Sequence, residues 1–327
     1  YEYMAETFDL LMHPEDRAFF CYFSDDSCLS IRVGGRVYTF NLDISTCDAS
    51  HGPLLFKMLG KMVPDWVLDD MIALIAQCEK EIRVKFKGEK GSFYVPCEFS
   101  SPKLYSGSTL TTVINNLANL LIFVAISQLN LTPDLSLIQI GEAIGGAAAR
   151  AGYKISGLSE AESCQIPEDI QFLKHSPVWC RERDEYVPVL NLGVWLRASG
   201  VCRGDLPGGK NESMESRAKA FQHSLLQGMF PRVNFPLLKQ ARQTCAPSKN
   251  ARTNERCARV VKEMFAYKVT DSGPVLNLHD EDVVRRYRLD GHELLTFQEF
   301  TNTGFGDITT GSFATKILDK DYSLESI

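Results

Sequence analysis

The chain has 327 residues, 44 % of them hydrophobic and 23 % charged, enough to bury a sizeable core and to predict two or three packed subdomains. A formal net charge of -6 and a pI near 5.6 argue against a uniformly basic nucleic-acid-binding surface, though not against a basic region within an acidic whole. Ten cysteines, with no C-x-x-C pair and no spaced His partners, argue against a zinc site and predict reduced thiols in a cytosolic setting.

The first residue is Tyr1 and no charged-then-apolar leader precedes it, so a piece of a longer protein without a signal peptide is expected. The first twenty residues should form a helix or loop leading into an apolar, β-prone run at 18–23. Ser24-Asp25-Asp26-Ser27 breaks that pattern and residues 28–33 resume it, which predicts two strands around a tight polar turn. Gly34-Gly35 makes a second turn, and 36–44 alternates as a third strand ending at Asp43. Acidic groups are thereby expected at adjacent strand ends.

From Pro53 to about Gln77 the pattern is helical, with Asp65 as a candidate cap and Val67, Leu68, Met71, Ile72 and Ile75 at helical spacing. Residues 82–86 and 93–95 read as a hairpin about Gly88–Gly91. No charged residue lies between Lys103 and Asp134, and 108–129 reads as a long buried helix. Asn115, Asn116, Asn119 and Gln128 interrupt its apolar run, so a membrane span is not expected. A Gly- and Ala-rich helix follows at 138–152, then short strands at 153–155 and 171–174. Beyond Trp179 the chain is expected to be mainly helical. Residues 217–268 hold 11 Lys or Arg against two acids, and the tail from Asp271 holds 11 acids against five bases.

Nucleotidyl transfer requires two divalent ions held by carboxylate oxygens, and Asp25, Asp26 and Asp43 supply three. Taken alone, each reads equally well as a solvated hairpin tip. Asp43 opens Asp43-Ile44-Ser45-Thr46-Cys47-Asp48, two acids four residues apart. The later segment Ser106-Gly107-Ser108-Thr109-Leu110-Thr111-Thr112-Val113-Ile114-Asn115 places Thr111 and Asn115 on one helix face after a flexible Ser-Gly turn. Three polar residues on a buried face (Thr111, Asn115, Asn119) are costly without partners, which favours a functional reading.

These segments resemble the motifs of viral RNA-dependent RNA polymerases. Asp43–Asp48 is similar to motif A, Ser106–Asn115 to motif B, and Phe23-Ser24-Asp25-Asp26 to motif C with Ser in place of the usual Gly. The stretch around Gly152-Tyr153-Lys154 is similar to motif D and Phe172-Leu173-Lys174 to motif E. The order C-A-B-D-E resembles the permuted palms of permutotetraviruses and birnaviruses. The resemblance implies an α+β fold: an antiparallel palm sheet backed by helices, then a mainly helical thumb, with most of the fingers missing. The expected parts are palm strands with motifs C and A (1–52), a finger-like insert (53–103), palm with motifs B, D and E (104–178), and thumb and tail (179–327).

The resemblance further implies that Asp25 and Asp43 bind two Mg²⁺ or Mn²⁺ ions, with Asp26 a secondary ligand. It implies that Asp48 and Asn115 hydrogen-bond the ribose 2′ hydroxyl, that Ser106 and Gly107 form an adjustable loop, and that Thr111 supports Asn115 or Asp48. Lys154 would protonate the leaving pyrophosphate, although a solvated surface lysine fits it as well. The partners implied are ribonucleoside triphosphates, an RNA template with its product duplex along the basic segment, and N-terminal fingers of the same polypeptide; the location implied is the host cytoplasm. An ordinary solvated helical face is the plain alternative for the basic segment. Arg203-Gly204-Asp205 reads as a loop, and Cys47 as packed rather than nucleophilic. Competing functions are a reverse transcriptase or other palm-type transferase, and a non-catalytic RNA-binding scaffold.

Overall fold

The computed structural model describes residues 2–200, 206–265, 273–303 and 311–322. It is an α+β chain in two compact units: Pro14–Ser163, and Tyr1–His13 with Cys164–Ile327. The first helix, α1 (Glu2–Met12), belongs to the second of these, burying Phe8 and Leu11 and packing on a hairpin formed much later in the chain. The expectation that residues 1–52 form one part with the palm strands is corrected for these first residues.

In the unit from Pro14 to Ser163, β1 (Ala18–Phe23), β2 (Asp26–Val33) and β3 (Arg36–Ile44) form an antiparallel meander. Strict alternation sorts its faces. Leu29, Ile31 and Val33 of β2 and Phe40, Leu42 and Ile44 of β3 are buried in the apolar core. On the other face the opposed pairs are Asp26 with Asp43, Cys28 with Asn41, and Ser30 with Thr39. The Cys28 thiol donates to Asn41 Oδ1 (3.3 Å), and the two hydroxyls of Ser30 and Thr39 lie 2.9 Å apart. Gly34 and Gly35 both have positive φ (58° and 80°), the I′ geometry that suits a two-residue hairpin. A Cβ on Gly34 would also stand 2.7 Å from that of Pro133.

After α2 (Cys47–Ser50), the helical stretch divides into α3 (Pro53–Met62) and α4 (Asp65–Gln77). The break falls at Val63-Pro64, because proline disfavours helical backbone in the residue before it. Pro64 rather than Asp65 occupies the cap position, and α4 buries none of its residues fully. β4 (Ile82–Gly88) and β5 (Gly91–Cys97) pair as the expected hairpin. The buried helix is α5 (Thr111–Ser127), seated by Ile114, Leu117, Ala118, Ile122 and Ile126. α6 (Leu137–Arg150) starts at a Ser136/Gln139 capping box and is followed by Gly152 in the left-handed region (φ 93°). β6 (Ile155–Ser156) then joins β3 as the fourth strand. Gly157 follows with φ 92°, where any side chain would meet the Asn41 carbonyl oxygen.

The other unit contains β7 (His175–Cys180) and β8 (Glu185–Leu190), a hairpin. Gln171–Lys174 is therefore not a strand: Leu173 and Lys174 have positive φ (51° and 58°) and form the turn that opens β7. Residues 164–178, expected with the palm, belong to this unit. It continues through α7 (Leu192–Gly200), α8 (Met214–Met229), β9 (Val233–Asn234), α9 (Pro236–Thr244) and α10 (Ala251–Phe265). β10 (Leu276–Asn277) pairs in parallel with β9, and α11 (Asp280–Val283), α12 (Gly291–Thr303) and α13 (Ser312–Tyr322) complete the described chain. Arg203-Gly204-Asp205, Lys268, and residues 271–272, 304–310 and 323–327 of the tail lie outside the described residues. None of the described helices is long and apolar enough to cross a membrane.

One buried charge pair pins α13. Arg286 Nε donates to Asp321 Oδ1 at 2.9 Å, with the two side chains 3 % and 0 % exposed. Tyr287 Oη (2.8 Å) and the Gly193 N–H (2.7 Å) donate to the other carboxylate oxygen, and Arg286 also donates to the carbonyls of Glu168 and Asp169. Removing one partner of such a pair leaves a buried charge uncompensated, at a cost of about 3–5 kcal/mol. R286M is accordingly expected to lower stability by about that amount, read as an earlier urea transition by tryptophan fluorescence. A loss below about 1 kcal/mol would show that the pair is not needed there.

Candidate functional site

Phe23 pairs with Asp26, so Ser24 and Asp25 alone join β1 to β2. Of these two only Ser24 has positive φ (56°), the mark of a II′ turn whose first central position favours glycine. A serine in left-handed backbone costs about 1–2 kcal/mol. Three consecutive-face asparagines of α5 hold it there. The Ser24 N–H donates to Asn116 Oδ1 (2.7 Å), its carbonyl accepts from Asn119 Nδ2 (2.7 Å), and its Oγ accepts from Asn115 Nδ2 (3.2 Å). The strained turn thus sits on a prepared polar platform.

The turn delivers Asp26 to the first position of β2, directly opposite Asp43 of β3. Opposed residues of an antiparallel pair project from the same face, with Cβ atoms about 4.5–5.5 Å apart. Cys47 lies within reach of these charges. Burial pushes its thiol up to about 12, and the carboxylates of Asp48, Asp25 and Asp43 add to the effect. A thiol held so firmly protonated is a packing group, as expected for Cys47, and not a nucleophile.

Asp48 lies in the first turn of α2. Its Oδ1 accepts from Asn115 Nδ2 at 3.0 Å, and its Oδ2 accepts from the Ser106 hydroxyl. An ionised carboxylate only accepts, so the amide nitrogen of Asn115 must face Asp48 and its Oδ1 must face away. That oxygen meets His51 Nε2 at 2.7 Å and the Cys47 thiol at 3.4 Å. Nε2 therefore carries the proton, which leaves Nδ1 to accept from the Tyr153 hydroxyl at 3.0 Å. Burial lowers the His51 pKa from its ordinary 6.5, against the opposing effects of Asn115 and Asp48, in keeping with the neutral ring this pattern requires. Burial, with a smaller effect of Cys47, raises Tyr153 to about 12. Asn115, 1 % exposed, has every donor and acceptor engaged.

The remaining expected residues fall around this network. Ser106 and Gly107 lie in the loop before α5, with Gly107 at φ 83°, which only glycine adopts without strain. Thr111 contacts neither Asn115 nor Asp48: its hydroxyl donates to the Tyr105 carbonyl (3.2 Å) and lies 3.4 Å from that of Ser108. It braces the loop that carries Ser106. Lys154 precedes β6, its carbonyl accepts from the Ser45 N–H (2.8 Å), and its side chain is exposed. Phe172-Leu173-Lys174 lies in the other unit. Sequence reasoning missed His51, Tyr153 and Asn116. The usable signal was the full valence of a buried asparagine: once Asp48 takes Nδ2, a donor must be found for Oδ1, and His51 is three residues from Asp48.

Among the described residues, Cys47, Asp48 and His51 bring possible metal-ligand atoms within 4.8 Å of one another. Each of those atoms already has a protein partner in the network above, and the thiol is protonated, so the trio is a hydrogen-bonded scaffold. In the basic segment, α10 buries only Thr253, Cys257 and Val261, leaving Arg252, Arg256, Arg259 and Lys262 exposed. Arg242 is committed elsewhere, donating to the Leu226 and Phe230 carbonyls at the end of α8. Compared with known proteins, the chain matches no family model and no curated protein.

Two outcomes follow from this geometry. N116A removes the acceptor for the Ser24 N–H and is expected to cost about 1–3 kcal/mol in a urea titration; no loss would mean that the platform does not hold the turn. His51 has a folded pKa below its unfolded value, so the unfolded chain binds more protons between the two. Its stabilisation is complete above pH 6.5 and is lost as pH falls from 6.5 toward the folded value. H51Q should be less stable at pH 7 yet flatter in a stability profile from pH 7 to about 5; an unchanged slope would exclude His51 as its source.

Proposed function

We propose that the chain is the catalytic part of an RNA-dependent RNA polymerase, which adds ribonucleotides from their triphosphates to an RNA strand and releases pyrophosphate. The observation that supports this most is the pairing of Asp26 with Asp43 beside an Asp48–Asn115 contact of 3.0 Å that links the two acidic segments to α5. The donor set suits Mg²⁺ or Mn²⁺, because Asp25, Asp26 and Asp43 offer only hard carboxylate oxygens and an opposed pair of like charges favours a cation nearby. When bound, two such ions would supply activation of the attacking hydroxyl and neutralisation of the triphosphate.

The chain's own groups account for the rest. A ribose 2′ hydroxyl both donates and accepts, and Asp48 (acceptor) beside the Ser106 hydroxyl and Asn115 amide (donors) matches it. Gly107 lets the Ser106 loop shift as a nucleotide enters. The exposed Lys154 ammonium would hold the proton given to pyrophosphate. The exposed cations of α10 would follow the phosphates of the product duplex as a thumb.

In a primer-extension assay with Mg²⁺ or Mn²⁺ on the full protein, D25N and D43N are expected to abolish extension; retained activity in either would overturn the reading. N115A removes bonds to a charged group worth about 1.5–3 kcal/mol, so the preference for ribo- over deoxynucleotides should fall roughly 10- to 100-fold. Equal use of both precursors by the unaltered protein would instead favour a reverse transcriptase.

A further inference from the structure

The β4–β5 hairpin is the most exposed regular element of its unit. Every residue from Arg83 to Pro96 is exposed, and the Lys103 N–H to Cys78 carbonyl bond (2.9 Å) closes its base. The register separates two faces. Val84, Phe86, Phe93 and Val95 lie on one, with the Phe86 and Phe93 rings stacked at 5.5 Å. The other carries Arg83, Lys85 and Lys87 opposite Pro96, Tyr94 and Ser92, and Lys85 Nζ lies 6.0 Å from the centre of the Tyr94 ring. Lys90 adds a fourth cation at the tip against a single acid, Glu89, in a chain of net charge -6.

A two-stranded hairpin standing alone is marginal in water, and seven-residue strands with exposed aromatic rings expose both edges to other chains. A solvated face would be served by mixed charge. Here one face is a single-sign row. Alternate positions on a strand are about 6.6 Å apart, comparable to successive phosphates of an extended single strand. The row is interleaved with an aromatic ring on which a base can stack, the combination that holds single-stranded nucleic acid without sequence preference.

We propose that the Arg83–Lys85–Lys87–Tyr94 face of this hairpin is a binding surface for single-stranded RNA. The choice of RNA rests on the polymerase reading; the choice of a polyanion carrying bases rests on the hairpin alone. The backbone would run along the basic row, and Tyr94, turned outward beside Lys85, would take a base.

The test is fluorescence anisotropy of the full chain with a labelled single-stranded RNA of about twelve nucleotides, across a salt series. K85E/K87E changes only exposed side chains and is expected to weaken binding at least about 10-fold. It should also make the log–log salt slope shallower by about 1.4, two single-strand phosphate contacts. Y94A should weaken binding while leaving that slope unchanged. Unaltered affinity in K85E/K87E would overturn the proposal, as would equal losses for single-stranded and duplex RNA, or affinity that tracks self-association in sedimentation. D25N is carried in parallel: it should bind RNA like the unaltered chain but fail to extend a primer. Extension by D25N would remove the polymerase reading without touching the hairpin result, and intact binding by K85E/K87E would do the reverse.

Discussion

The candidate site depends on the fact that a carboxylate can only accept hydrogen bonds. Asp48 forces the Asn115 amide nitrogen toward itself, and every other orientation in the network follows from that. Asn115 Oδ1 must then find a donor, His51 must carry its proton on Nε2, and Tyr153 must donate to Nδ1. The same amide nitrogen reaches Ser24, so the strained turn carrying Asp25 is registered against the segment carrying Asp48 through one side chain. The buried asparagine is affordable because no polar atom of it is left without a partner.

This dependence explains why α5 carries so many polar residues on a buried helix. Asn115 and Asn119 are 1 % and 0 % exposed, and each reaches the Ser24 turn. Asn119 additionally donates to the Asn115 carbonyl one turn earlier (2.9 Å), so the platform is tied to the helix that supports it. The apolar residues of the same helix seat it on the sheet. Packing and hydrogen bonding thus fix one helix in two ways, leaving little freedom for the turn to drift.

Much of this unit was legible because its strands alternate cleanly. β1, β2 and β3 lie at the expected residues, since Leu29, Ile31, Phe40 and Leu42 recur at period two between unmistakable turns. The β7–β8 hairpin was not, and the reason is Pro177 opposite Pro188: prolines inside a run read as breakers, yet both fit a two-stranded element. The break at Pro64 was signalled by proline's effect on the preceding residue but outweighed by helical periodicity on either side. His51 and Tyr153 were invisible for a different reason. They meet 102 positions apart in sequence, and periodicity carries no information about such a pairing.

The separation of contacts along the chain has a consequence for how the site is made. The Asp26–Asp43 pair is closed by neighbouring hairpins and needs only a short loop, whereas Asn115 reaches Asp48 and Ser24 across 67 and 91 residues. Loop closure disfavours the distant contacts kinetically. The meander can therefore bring its acids together early, and the site matures only when α5 docks; a nascent chain would hold the charges well before it holds the geometry that gives them a use.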